Sequence, residues 1–260
     1  MDNIGFGNLK LYQDREGFKF SVDAVILADF AAKLCSEAES VVDLGTGNGI
    51  IPFILSHKNR NCRITGIDVQ EKSIRMADMS CRENGLEERI RFIREDVSNL
   101  RKTCPDLGKS ADLVVSNPPY FTKGAGLINS NSGKYTSRHE TTATLNDFVE
   151  IAAWILRDRG HLCMVHRPSR LVDILTAFRD NAIEPKDIRF VNPRRGEIPN
   201  IVLVHGVLGG GKELEFMKEL SIYDESGGYS AEILEIYEKK IVENISKLCN
   251  NDGTTLEVRR

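Results

Sequence analysis

Val41-Val42-Asp43-Leu44-Gly45-Thr46-Gly47-Asn48-Gly49-Ile50 begins as a β-branched apolar run, turns on three glycines and ends where a helical pattern starts. Strand, glycine turn and helix in ten residues predict a βα unit, and Pro52 is tolerated because it falls in the first helical turn. Glycine lets the backbone approach a ligand closely, and the helix N-terminus behind the turn favours negative charge. The spacing from Gly45 through Gly47 to Gly49 is G-x-G-x-G, whereas the nucleotide-pyrophosphate fingerprint is G-x-G-x-x-G. Asp43, just before the loop, would repel a pyrophosphate but suits an amino group. A ligand with a carboxylate, an amine and a nucleoside fits better than NAD. S-adenosylmethionine has all three.

Working outward, residues 63–67, 90–94, 113–116, 161–166 and 201–207 are further apolar runs of the kind that a strand buried on both faces requires. Helical patterns lie between them. Residues 73–84 align Ile74, Ala77 and Cys81, with Gly85 where a left-handed stop is needed. Residues 147–156 align Phe148, Ile151, Ala152 and Ile155. Such alternation predicts an α/β fold, a doubly wound and mostly parallel sheet. Two flanks decorate it. Residues 9–20 are expected to form a hairpin around Asp14-Arg15-Glu16-Gly17, followed by a helix carrying Leu27, Phe30, Ala31 and Leu34 on one stripe. At the other end, Ser230 is expected to cap a helix through Asn250 with Leu234, Tyr237, Ile241, Ile245 and Leu248 facing inward. The expected layout is an N-terminal hairpin and helix over 1–40, a core over 41–212 and a C-terminal extension over 213–260, all one structural domain.

The strands after the loop supply its acids. A ribose needs a carboxylate about 20 residues beyond the loop to accept its hydroxyls, and Asp68 ends the second strand. Asp96 follows the third strand, where it could accept from an adenine amino group, and Val69 and Val97 would bracket the ring. The cofactor candidates are therefore Asp43, Gly45, Thr46, Gly47, Asp68, Val69, Asp96 and Val97. The plain alternative is a set of turn glycines with solvated acids.

Ser116-Asn117-Pro118-Pro119-Tyr120-Phe121 follows the fourth strand. The prolines lack backbone donors and lock the turn, so the carbonyls of Asn117 and Pro118 are free to accept. Together with the Asn117 side-chain carbonyl, they would stabilise a planar amine as it becomes tetrahedral and partly cationic during attack. Tyr120 can stack on the target base and hold its amine in line. Asn117, Pro118, Pro119 and Tyr120 are the catalytic candidates, with Asn117 also touching the cofactor. A proline-rich surface turn is the bland reading.

At these two motifs the chain resembles the class I amino-methyltransferases. Phe18 to Leu27, Arg138-His139-Glu140 and Tyr229-Ser230 extend the resemblance to the bacterial tRNA1(Val) (adenine-37-N6)-methyltransferases. The resemblance covers nearly the whole chain. It implies a Rossmann-like seven-stranded sheet, an S-adenosylmethionine cofactor and an adenine in a tRNA anticodon loop. Protein glutamine methyltransferases of the release-factor type share the tetrapeptide, but they carry an N-terminal helical domain before the core. Guanine-N2 rRNA methyltransferases usually show Phe in place of Tyr120, and DNA adenine methyltransferases generally need a larger target-recognition region. A non-enzymatic, cofactor-sensing RNA-binding module would leave the tetrapeptide without a purpose.

The 260 residues are 41% hydrophobic and carry a net charge of -3, which suits a folded core and leaves no apolar run long enough to span a bilayer. The charge is uneven. Residues 1–120 carry 16 Lys+Arg against 18 Asp+Glu, residues 121–212 carry 13 against 9, and residues 213–260 carry 6 against 11. An RNA partner, here the anticodon stem-loop, would be held by the middle segment, with Lys123, Lys134, Arg138, Arg194 and Arg195 as phosphate candidates. Residues 121–144 lack periodicity and are placed to close over a flipped-out base. Residues 189–196 read as a loop mixing stacking and phosphate-binding types. Residues 206–212 read G-x-x-x-x-G-K, but Glu213 replaces the magnesium-binding Ser or Thr, so a strand connection is expected. None of the five histidines shows metal-ligand spacing, so no metal is expected. Six cysteines without Cys-x-x-Cys spacing and no leader pattern point to the cytoplasm. Monomer and weak dimer both remain open.

Overall fold

The computed structural model describes residues 2–13, 21–119 and 143–238. In chain order these form β1 (Asp2–Asn3), β2 (Lys10–Leu11), α1 (Val22–Leu34), β3 (Ser40–Leu44), α2 (Ile50–Lys58), β4 (Arg63–Asp68), α3 (Glu71–Glu83) and β5 (Ile90–Arg94). Then follow α4 (Leu100–Thr103), β6 (Ala111–Ser116), α5 (Leu145–Ile155), β7 (Leu156–His166), α6 (Leu171–Asp180), β8 (Ile183–Arg194) and β9 (Ile201–Leu208). Two short strands, β10 (Glu215–Phe216) and β11 (Leu220–Tyr223), and α7 (Ala231–Ile236) complete it.

Seven strands run side by side in the order β5-β4-β3-β6-β7-β9-β8. All neighbours from β5 to β7 are parallel, and β9 is reversed between β7 and β8. This is the Rossmann-like arrangement expected of class I methyltransferases, with β10 and β11 added in parallel to the outer edge of β8. One apolar cluster joins residues of α1, α2 and α7 to one sheet face, and a second joins α5 and α6 to the other. The central parallel strands β3 and β6 are buried on both faces, which is why their sequences are apolar runs without alternation, whereas the edge strand β5 exposes Arg91 and Arg94.

The expected helices form. Ile74, Ala77 and Cys81 of α3 are buried, and Gly85 follows with φ +63°, the left-handed stop that a side chain would resist. Thr144 and Asp147 close a reciprocal capping box at α5, whose Phe148, Ile151, Ala152 and Ile155 are buried.

Two expectations are corrected, and a third falls largely outside the described residues. The segment 189–196 is mainly strand: β8 runs to Arg194, and only Arg195 and Gly196 lie in the turn. Arg189 is neutralised there by Glu232 of α7, so a charged residue sits in a buried strand. At the N-terminus, β2 pairs backwards with β1, Asn3 opposite Lys10, and the expected turn at Asp14 to Gly17 lies outside the described residues. At the C-terminus, Ser230 does cap α7, accepting from Ile233 N at 3.3 Å, but the helix ends at Ile236. Glu238 then takes φ +56° with its carboxylate 2.9 Å from His57 Nε2. Ile233, Ile236 and Tyr237 are the buried residues of this segment, Leu234 is half-buried, and Ile241, Ile245 and Leu248 lie outside the described residues.

Phe178 of α6 is fully buried against β8 and β9, where a Cβ on Gly206 would come within 2.8 Å of its ring. Phe178→Ala is expected to lower unfolding stability by about 3–5 kcal/mol, read from urea midpoints. A change below 1 kcal/mol would show that the site collapses around the missing ring.

Candidate active site

The glycine loop is held down by β4. Gly45 N and Thr46 N both donate to Ile67 O at 2.9 Å, and Gly47 N donates to Asp68 Oδ2 at 2.8 Å. Gly45, Gly47 and Gly49 have φ of +77°, +57° and +85°, so the loop needs glycine at each position. A Cβ on Gly47 would meet no protein atom within 4 Å, leaving open space above the loop. On Gly49 it would lie 2.7 Å from the Phe92 ring, so that glycine serves helix packing.

Asp68 is placed at the C-terminal end of β4, as expected, but its carboxylate also braces backbone. Besides Gly47 it accepts from Gln70 N at 2.8 Å. Asp96 stands just beyond β5, where Oδ1 accepts from Ser98 N and from the Ser98 hydroxyl. Val97 is buried behind it and Val69 is half-buried. Asn117 and Pro119 are half-buried and Pro118 buried, immediately after β6. Four adjacent parallel strands therefore deliver the loop, Asp68, Asp96 and Asn117 to one edge of the sheet. Ser116, not singled out from the sequence, ties two of these ends together: its hydroxyl donates to Leu44 O at 2.9 Å. Tyr120, Lys123, Lys134 and Arg138 lie outside the described residues.

Because β8 runs parallel to β7, Arg194 and Arg195 lie at the same edge as Asn117. Three strand spacings, about 14 Å, separate β6 from β8. Arg194 pairs with Glu197 at 3.5 Å and lies 5.8 Å from the centre of the Tyr223 ring, while Arg195 is exposed.

Beneath the loop, Asp43 is wholly buried, and neither carboxylate oxygen has a hydrogen-bond partner; the buried Thr46 hydroxyl also has none. Burial pushes the Asp43 carboxyl up from 3.8 to about 7, and the Asp68 charge raises it further. An uncompensated acid at this place disfavours a pyrophosphate and favours a cationic ligand.

The family model described as "Methyltransferase small domain" matches residues 23–178, more than half of the chain. The chain belongs to that family. It is a methyltransferase, and the match runs from α1 through the glycine loop and the Asn117 edge to α6. A curated relative from Mannheimia succiniciproducens, named tRNA1(Val) (adenine(37)-N6)-methyltransferase, is 26% identical over 62% of this chain and 63% of its own length. One of the same name from Actinobacillus succinogenes is 25% identical over 89% of this chain and 93% of its own. Among solved structures, a predicted O-methyltransferase from Agrobacterium tumefaciens matches with TM-score 0.67 at 21% identity, covering 84% of this chain and 96% of that one. That likeness concerns the fold.

Asp43 sets a pH dependence. Its folded value lies above the unfolded one, so it stabilises the ligand-free fold at low pH, and that contribution is lost as pH rises from about 4 to about 7. Asp43→Asn is expected to remove the loss, so the variant gains stability relative to wild type progressively across that window and keeps the full, constant difference above it. Urea midpoints measured from acid to neutral pH check this; a difference between the two proteins that stays constant across the window would refute it.

Proposed function

We propose that this methyltransferase transfers a methyl group from S-adenosylmethionine to the N6 amine of an adenine in tRNA. The observation that carries the reading is the convergence of the glycine loop, Asp68, Asp96 and Asn117-Pro118-Pro119 on one sheet edge, in a chain whose curated relatives are named for that reaction. The finer proposal, from the relatives' printed names, is adenine 37 of tRNA1(Val), in the anticodon loop, and a cytoplasmic enzyme.

The residues fit the cofactor. Asp43 would supply the negative field for an ammonium and a sulfonium, the turn of Gly45, Thr46 and Gly47 would cradle the ligand with open space above Gly47, and Asp68 and Asp96 would accept from ribose hydroxyls and an adenine amine. Val69 and Val97 flank the base. S-adenosylmethionine, when bound, supplies the electrophilic methyl group. Asn117 and the Pro118 carbonyl accept from the target amine and favour its tetrahedral form, with no general base needed for attack. Tyr120 supplies stacking for the flipped base. Lys123, Lys134, Arg138, Arg194 and Arg195 meet RNA phosphates, the last two about 14 Å along the edge from β6.

Nucleoside mass spectrometry on tRNA from a strain lacking the gene, treated with enzyme and cofactor, should reveal N6-methyladenosine. Methylated glutamine in a release factor, with unmodified tRNA, would replace this reading with the protein-directed one. Asn117→Ala is expected to lower turnover roughly 100- to 1000-fold with cofactor affinity unchanged within a few-fold. A near-normal rate would remove Asn117 from the mechanism.

Replacing both Arg194 and Arg195 with Ala should weaken tRNA binding and reduce the slope of log affinity against log salt by about one to two, with cofactor binding unchanged. Since Arg194 already faces Glu197, Arg195 alone should carry the larger part. Normal binding by the double variant across a salt titration would move the docking face elsewhere.

A further inference from the structure

Away from the Asn117 edge, the fold gathers three potential metal-ligand side chains that the sequence scatters. Cys35 caps α1, His161 lies on β7 and His205 on β9, and one ligand atom from each lies within 4.8 Å of the other two. His161 Nδ1 is 2.9 Å from His205 Nε2, and the rings stack with centres 5.2 Å apart. His205 Nδ1 is 2.7 Å from Asp187 Oδ2 of β8. His161 is level with Leu113 of β6, three residues back from Ser116, so the cluster is separate from the catalytic edge.

A hydrogen-bonded histidine pair would by itself account for His161, His205 and Asp187. Cys35 joins that pair through side-chain hydrogen bonds with Cys163, His161 and His205, so its thiol faces the same centre. Asp187 is an acceptor only, so it fixes the proton on His205 Nδ1 and leaves the Nε2 lone pair aimed at the shared centre. This is the carboxylate–histidine arrangement that orients an imidazole ligand and strengthens it. One proton now lies between His161 Nδ1 and His205 Nε2. A cation there displaces it, and the proton moves to His161 Nε2 by tautomer exchange while the Cys35 thiol gives its own to solvent.

We infer that Cys35, His161 and His205 bind one zinc ion, with Asp187 as the outer acceptor and water in the fourth position. Thiolate plus two imidazoles is a borderline-soft donor set suited to zinc. Zinc distances of about 2.0–2.3 Å place tetrahedral ligand atoms some 3.3–3.6 Å apart, so side-chain movements of about 1 Å or less complete the site. Charge also balances: the thiolate and the Asp187 carboxylate together neutralise a divalent ion, which a largely buried position requires. Cys35 is 7% and His205 5% exposed, whereas His161 is more open and offers the path in. The ion would clamp the end of α1 to β7 and β9.

Cobalt(II) titration of the full chain, purified without a histidine tag and stripped with chelator, tests the inference. One equivalent should produce the visible bands of a tetrahedral site and a near-ultraviolet thiolate-to-cobalt band, both erased by zinc. Cys35→Ser should abolish the thiolate band, and His161→Gln, at the least buried ligand, should weaken binding without threatening the core. Asp187→Asn should weaken binding about 10- to 100-fold while keeping the band shape. His57→Gln should change nothing. Absence of the thiolate band in the wild type, or its persistence in Cys35→Ser, would overturn the assignment. Neither outcome bears on the methyl-transfer reading, which is tested on tRNA.

Discussion

The first half of the glycine loop is bonded to the neighbouring strand, and its second half closes on itself through Gly49 N, which donates to Thr46 O at 3.0 Å. Two successive N–H groups share the Ile67 carbonyl, and a third uses the Asp68 carboxylate. Holding three amides against the end of β4 forces left-handed turns at Gly45, Gly47 and Gly49, and these leave the space above Gly47 open. The Ser116 hydroxyl then ties the end of β6 to Leu44 at the mouth of the same loop. The glycine loop and the Asn117 turn are thereby fixed relative to each other by hydrogen bonds among three adjacent strands, β4, β3 and β6. Methyl transfer depends on such alignment, because an amine and a methyl donor must be brought into line.

The same arrangement carries an electrostatic cost. Asp43 is buried without a partner beneath a loop that Asp68 braces from the side. Burial raises the proton affinity of Asp43, and the Asp68 charge adds to it. A cationic ligand relieves this strain, and a pyrophosphate would aggravate it. Asp43 thus trades stability of the empty fold for preference among ligands, as strained groups at functional sites commonly do.

The reversed strand β9 has a second consequence. By lying antiparallel between β7 and β8, it places His205 opposite Asp187 and Cys163, on the row that α1 covers with Cys35. It also allows β8 to run parallel to β7, which brings Arg194 and Arg195 to the Asn117 edge. One strand reversal therefore positions both the basic residues proposed for RNA and the polar cluster on the far side of the sheet from α5 and α6.

What the sequence determined by itself was whatever depends on neighbours in the chain. The βα unit at Val41 to Ile50, the capped helices α3 and α5, and the acids at strand ends were legible because turn chemistry and apolar periodicity are local. Strand β8 was missed because Arg189, Asn192 and Pro193 look like loop residues until Glu232, Glu219 and Ser221 from later segments satisfy the two polar side chains among them. Tertiary structure alone decided that Asp68 holds the loop, since its partners are backbone amides that carry no sequence signal. It alone decided the meeting of Cys35, His161 and His205, which lie on three elements far apart in the chain. Linear spacing can reveal ligands only when they share one helix or loop; here strand pairing and the packing of α1 on the sheet create the proximity.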